Sequence, residues 1–334
     1  MNRAKAQHQE TGMQFHLDNP NTLRIGDVRI QLQRTLRIPD DGRSYPLPPG
    51  LGAFPIRRVD DYVDRVPAHW QQRGGVFIPM YQREAMWIRF IAPHHKPRAI
   101  KVGVGKVCAI TGLPWSESLR AHPQDYVVAP TQPWLDGIFA GKGTIRQFVA
   151  MPLGMGYTVE GQITGEERFG GVQLKVFDPK PGRFPDHPPV SRTRSMMPMA
   201  CAAPAAAGQM GLAAGGRMKQ KIYPDAHGID TWDPLQSGRV FVHIVNSALW
   251  REITGEEPPA TPVTARSYTQ HGLPWFDLYD EHLPAVGHAS PLKQVKSIKQ
   301  IDGKESTLPL QDDSSVEPSL VKKIWAGLVR DGEW

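Results

Sequence analysis

The chain has 334 residues, including 32 Gly, 32 Pro and 2 Cys, and its 39 Lys and Arg against 33 Asp and Glu give a formal net charge of +6. A chain this long buries roughly three quarters of its unfolded surface and needs no disulfide or metal staple. Gly and Pro exceed their usual combined share of about 12% without reaching low-complexity levels, which excludes collagen, coiled coil, disulfide scaffold and a wholly disordered chain.

The first clear element is a strand from Val28 to Ile38. Val28, Ile30, Leu32, Leu36 and Ile38 alternate with Arg29, Gln31, Gln33, Thr35 and Arg37, so one face is apolar and the other is expected to be wet. Arg34 breaks the inner face, which predicts either a bulge or a buried carboxylate partner. Val59, Tyr62, Val63 and Val66 have helical spacing that ends at Pro67. Further strands are predicted at 75–79, 85–91, 100–104, 106–110 and 126–128. The glycine-rich 137–144 resembles a phosphate loop only superficially, since the spacing of the Walker motif is missing, and reads as a mobile loop.

Val159 and Ile163, followed by the 165–171 glycine loop and by Val172, Leu174 and Val176, predict a β-hairpin over 157–178. A Pro-, Ala- and Gly-rich insert occupies about 179–216, and 208–220 reads as a plain glycine loop with cations behind it. Residues 239–245, RVFVHIV, are apolar on both faces and suit a central strand. Asn246 and Ser247 are set to cap a short helix closed by Gly255, and a last helix is predicted over 319–328. Two short echoes, ITGEE at 163–167 and 253–257 and GLPW at 112–115 and 272–275, reflect turn chemistry and not a duplicated domain.

These elements predict an α+β fold, mainly antiparallel β-sheet of sandwich- or barrel-like form, with a few short helices and long Pro/Gly-rich loops. The expected organisation is an N-terminal arm (1–20), one β-rich domain (21–289) and a polar tail (290–334). The N-terminus lacks the apolar core of a signal peptide, and no stretch matches the roughly 18 to 20 apolar residues of a membrane span. A cytoplasmic protein with reduced, buried thiols at Cys108 and Cys201 is the expectation.

Residues 1–110 hold 17 Lys and Arg against 9 Asp and Glu. The cations are scattered and no nucleic-acid-binding module accompanies them, so weak nucleic-acid binding through this basic third ranks below a protein partner or self-association. The best metal constellation is Asp225, His227 and Asp230 on a turn, with His243 on the strand that follows. Carboxylates and imidazoles offer mixed N/O ligation to a divalent metal, whose bound water would serve a hydrolase. Asp-Ala-His-Gly is equally good turn sequence. Cys108 lies in an apolar run that silences a thiol, and the nine tryptophans read mostly as packing residues.

IRQFVAMPLGMGYTVEGQITGEE (145–167), PWLDG (133–137) and GLPWFDLYDE (272–281) resemble a family of uncharacterised microbial proteins. The resemblance implies one coherent fold over most of 20–330 and carries no functional site across. The leading expectation is a non-enzymatic binding or assembly protein without a cofactor, using either the wet face of Arg29, Gln31, Gln33, Thr35 and Arg37 or the tryptophan-rich loops. The alternative is the metal-assisted hydrolase at 225–243.

Overall fold

The computed structural model describes residues 12–141, 143–187, 209–259, 285–286 and 291–303, with the backbone alone at 275–278, 290 and 321–324. In chain order the first strands are β1 (Phe15–Asn19), β2 (Thr22–Ile25), β3 (Val28–Thr35), β4 (Ser44–Tyr45), β5 (Gly50–Ala53) and β6 (Arg57–Arg58). Next come β7 (Val76–Pro79), β8 (Ala85–Ile91), β9 (Arg98–Val104), β10 (Val107–Cys108), β11 (Val127–Ala129), β12 (Trp134–Leu135) and β13 (Gly137–Gly141). The rest are β14 (Thr144–Pro152), β15 (Val172–Pro179), β16 (Gln209–Lys219), β17 (Trp232–Val245), β18 (Trp275–Leu278) and β19 (Val321–Ile324). Five short helices are described: α1 (Ala68–Arg73), α2 (Val159–Thr164), α3 (Ser247–Thr254), α4 (Ser290–Lys293) and α5 (Ile298–Asp302).

Strands β1 to β17 form one sheet, and β18 pairs with β19 in a second. Pairing in the large sheet is antiparallel except for β4 with β16 and β7 with β17. The α+β, mainly antiparallel class therefore holds. No described helix is long and apolar enough to cross a membrane.

The part of the sheet that positions the candidate site is β9, β15, β17 and β7, side by side. Val172 stands opposite both Val104 and Val242, and Val242 stands opposite Val76. One face of these strands carries Ile100, Val102, Leu174, Val176, Val240, Ile244 and Ile78, all buried in the main core. Because side chains alternate along a strand, the other face carries Lys101, Gly103, Gln173, Lys175, Phe177, Arg239, Phe241, His243 and Phe77. A second apolar cluster covers one end of it, where α1 and α3 bring Trp70, Trp250 and Ile253 onto Phe77 and Val245.

Several elements differ from their sequence patterns. β3 is a strand as expected, but of its supposedly wet residues only Arg29 is exposed, and Gln31, Gln33, Thr35 and Arg37 are buried. Three of these residues find partners inside the protein: Gln31 donates to Thr22 Oγ1 and Gln33 donates to Gln31 Oε1, both at 3.1 Å, while Thr35 donates to the Pro49 carbonyl at 2.8 Å. Arg34 meets both expectations. Its guanidinium pairs with buried Glu84 at 2.7 Å, and the β3–β5 register slips between Gln33 and Thr35.

The 157–178 hairpin is replaced by helix α2 followed by β15. Val159 and Ile163 are four apart, which suits helix as well as strand, and the caps decide: Thr158 accepts the Gly161 N–H and Gly165 closes the helix at φ 78°. Val59–Tyr62 form only a 3-10 turn, and Pro67 opens α1 where a stop was predicted. The supposed mobile loop at 137–144 is β13 and its hairpin into β14.

Of the glycine stretch at 208–220, Gln209–Lys219 form β16, a core strand. Its glycines admit close neighbours, a Cβ at Gly216 falling 2.3 Å from the Pro39 carbonyl oxygen. Val321–Ile324 is strand where a helix was predicted; the remainder of 319–328, Cys201, and most of the 272–275 echo lie outside the described residues. The beginning of the polar tail docks. Arg146 donates to the Val295 carbonyl at 2.8 Å, and Asp302 receives Arg83 and Tyr157.

Helix α3 follows its sequence signals closely. Asn246 Oδ1 accepts the N–H groups of Ala248 and Leu249, and Gly255 ends the helix at φ 73°.

Candidate binding face

The residues proposed as metal ligands do not assemble. Asp225 Oδ2 accepts the Tyr126 hydroxyl at 2.7 Å and the Trp232 indole N–H at 2.8 Å, while Oδ1 accepts the His227 N–H at 2.8 Å. The carboxylate thus closes its own loop and holds two core aromatics, the turn role that its sequence also suggests. His227 and Asp230 are exposed on that loop. His243 belongs elsewhere, stacked on Trp70 with ring centroids 4.1 Å apart and its Nε2 donating to the Gly74 carbonyl at 3.1 Å. Burial pushes the imidazole down to about 3, so it is neutral at ordinary pH. Among the described residues no group of three or more His, Cys, Asp or Glu side chains is arranged to hold a metal ion.

The described thiol, Cys108, is buried, and burial raises its pKa above the ordinary thiol value. Trp70 and Trp250 lie in the second core, the Trp115 ring covers Gly103, and the Trp134 indole N–H donates to Asp136 Oδ2 at 2.6 Å. Asp136 is fully enclosed, and burial pushes its carboxyl up to about 7.

What the structure does bring together is the outer face of β9, β15 and β17. Lys101, Lys175 and Arg239 stand directly opposite one another across the three strands. Like charges in such a row repel, and each cation is compensated differently. Lys101 is buried and bonds to Asp125 Oδ2 at 2.6 Å, to Ser116 Oγ at 2.7 Å and to the Ser118 carbonyl at 2.6 Å. Lys175 and Arg239 share one carboxylate, Glu117, at 3.1 and 2.7 Å. Two cations on a single exposed anion leave net positive charge at the surface.

The adjoining corner adds more. The loop after β9 carries Lys106, the loop before β15 carries Arg168 and Phe169, and the end of α1 carries Arg73. Arg73 lies 4.3 Å from the Phe169 ring centroid and 5.8 Å from that of Phe241, and Lys106 Nζ lies 4.7 Å from Phe169. Beneath them Glu160 accepts the backbone N–H groups of Lys106, Phe169 and Gly170 at 3.1, 3.2 and 2.8 Å. Gly105, at φ 56°, makes this possible, because a Cβ there would lie 2.4 Å from the Glu160 carboxyl carbon. Burial raises the Glu160 pKa, opposed by these hydrogen bonds.

Burial also lowers the Arg73 pKa. Its Nη1 is buried without a hydrogen-bond partner, as are His243 Nδ1, Asn246 Nδ2 and Trp250 Nε1. Buried polar atoms are normally satisfied; four of the unsatisfied ones lie on the α1–α3 side of the face, and others, such as Arg146 Nε, lie elsewhere in the fold.

Sequence reasoning missed this face. Lys175 reads as the polar side of an alternating strand and Arg239 as the first residue of a strand apolar on both faces, and only long-range register makes them neighbours. Searches for a matching protein-family model, a similar curated protein or a similar solved structure find none.

Proposed function

We propose that this chain is a binding or assembly protein whose contact surface is the outer face of β9, β15 and β17, and that its partner is an acidic polypeptide. The cross-strand row of Lys175 and Arg239, flanked by Lys106 and Arg73, carries the reading. A compact row of cations with one exposed counter-charge steers and holds a negatively charged surface. Self-association through this face is disfavoured, because a two-fold interface would oppose the same cations.

Single-stranded nucleic acid fits less well. It needs free aromatic faces for base stacking, and here the rings are already engaged by the chain's own cations: Phe169 by Arg73 and Lys106, Phe177 by Lys175, Trp115 by Lys101. A curled, sandwich- or barrel-like sheet belongs to the same reading. Its support is the single main core shared by strands from β2 to β17, which leaves the β9–β15–β17 outer face turned away from the core.

The test uses poly-L-glutamate and a single-stranded oligothymidylate as probes of the full chain. Poly-L-glutamate is expected to bind at low salt and to be released as salt rises. Lys175→Glu with Arg239→Glu is expected to weaken it by about tenfold or more, equivalent to about 1.4 kcal/mol. Absence of binding, indifference to the double substitution, or tighter binding of the oligothymidylate would overturn the reading.

A further inference from the structure

We propose that Arg73 and Lys106, both packed on the Phe169 ring, form the anchoring position of this face and bind a carboxylate group of the acidic partner. This rests on the acidic-polypeptide reading and deepens it by naming where the partner is held.

Elsewhere in the chain several cations are held by carboxylates. Arg34 has Glu84, Arg83 has Asp302, Arg98 has Asp27 and Asp178, Lys101 has Asp125, and Arg251 has Glu257. Each of these cations meets a carboxylate, whereas buried Arg146 meets only the Val295 carbonyl and keeps its Nε unpartnered. Arg73 is half-buried, and its Nη1 is sealed from solvent with no hydrogen-bond partner. The nearby carboxylate, Glu160, attracts Arg73 electrostatically, but its oxygens are taken by three backbone amides.

The fork of an arginine matches a carboxylate with two parallel hydrogen bonds. With Nη1 sealed, a partner's carboxylate meets the other edge of the fork, Nε and Nη2. Lys106 completes the position. It is exposed, its Nζ shares the Phe169 ring with Arg73, and among the described residues it has no ion pair. The two cations come from separate elements, the end of α1 and the turn after β9. Both are set by glycine-rich turns: Gly74 and Gly75 beside Arg73, and Gly105 beside Lys106. Arg168, the next cation along, is already close to Glu166 at 3.6 Å and is not needed.

The experiment measures hexaglutamate binding to the full chain by titration calorimetry at several salt concentrations, with inorganic phosphate as a second probe. Arg73→Met and Lys106→Met are each expected to weaken hexaglutamate about tenfold and to flatten its salt dependence. Arg73→Lys is expected to fall between wild type and Arg73→Met, because the charge stays and the fork is lost. If Arg73→Met fails to fold, the exposed Lys106→Met decides.

The anchor is overturned, with the broader reading intact, if these variants bind like wild type while Lys175→Glu with Arg239→Glu abolishes binding. Both fall if hexaglutamate does not bind at all. Tighter binding of phosphate than of hexaglutamate, with the same dependence on Arg73 and Lys106, would overturn the assignment to a carboxylate.

Discussion

The same five residues, Ile-Thr-Gly-Glu-Glu, end helix α2 at 163–167 and helix α3 at 253–257, and the two copies differ only where tertiary structure reaches them. In both, the threonine hydroxyl donates to the carbonyl four residues back, Glu160 at 2.8 Å and Trp250 at 2.7 Å. In both, that oxygen also accepts the N–H of the first glutamate, at 3.2 and 3.0 Å. Gly165 and Gly255 take φ 78° and 73° and return their N–H groups to Gly161 and Arg251. Five residues therefore suffice to write a helix C-terminus, wherever it lies.

The isoleucines and glutamates behave otherwise. Ile253 is fully buried among Trp70, Phe77 and Trp250, whereas Ile163 is only partly buried at the edge of the main core. Glu167 turns back to its own helix start, where it accepts the N–H groups of Gly156 and Thr158. Glu256 reaches away to Arg57, and Glu257 to Arg251.

The largest effect expected from this contrast is at the isoleucines. Ile253→Ala should cost about 2–5 kcal/mol, the range for deleting a buried aliphatic side chain. Ile163→Ala should cost less than half as much, because less surface leaves the core. Urea unfolding of the two variants checks this, and equal losses would show that burial does not separate the two copies.

Next are the glycines. A left-handed backbone costs an L-residue about 1–2 kcal/mol, and at both positions an added Cβ meets no atom within 4 Å. Gly165→Ala and Gly255→Ala should therefore destabilise by about the same 1–2 kcal/mol. Midpoints that differ well beyond this would mean that the caps are not local after all.

What could be read from the sequence follows the same division. The α3 caps, the β8 strand and the partner of Arg34 were legible because each depends on adjacent residues or on one outlier in a simple alternation. Helix α2 was misread as strand because the pair Val159 and Ile163 satisfies both periods, although Thr158 and Gly165 carried the deciding signal. Gln31, Gln33 and Thr35 looked wet because residue type cannot distinguish an exposed amide from one bonded to a buried neighbour. Asp225 and His243 looked like co-ligands, yet one locks a loop around Tyr126 and Trp232 while the other stacks on Trp70. The candidate face was the least legible part. Lys101, Lys175 and Arg239 are far apart in the chain, and no local periodicity encodes the register that aligns them.

The smallest predicted difference concerns the second glutamates, Glu167 and Glu257, and it is read through salt. Glu257 is well exposed and pairs with Arg251 on the surface, an arrangement worth about 0.2–1 kcal/mol at most. Glu257→Gln should therefore cost a few tenths of a kcal/mol at low salt, and roughly 1 M salt, where the Debye length is about 3 Å, should abolish the loss. Glu167 instead accepts backbone N–H groups at 3.0 and 2.9 Å. Glutamine keeps one accepting oxygen but turns an NH2 group toward the other N–H, so one bond is lost to water at exposed Gly156 and the remaining one gives up charge assistance, together a loss of about 1 kcal/mol. Bonds this short and this local do not depend on a distant counter-charge, so the Glu167→Gln loss should persist in salt. Denaturation curves of the two variants at low and high salt separate the outcomes. If both losses vanish together, Glu167 acts as a surface charge like its counterpart, and the contrast between a self-closed helix and a tethered one is lost.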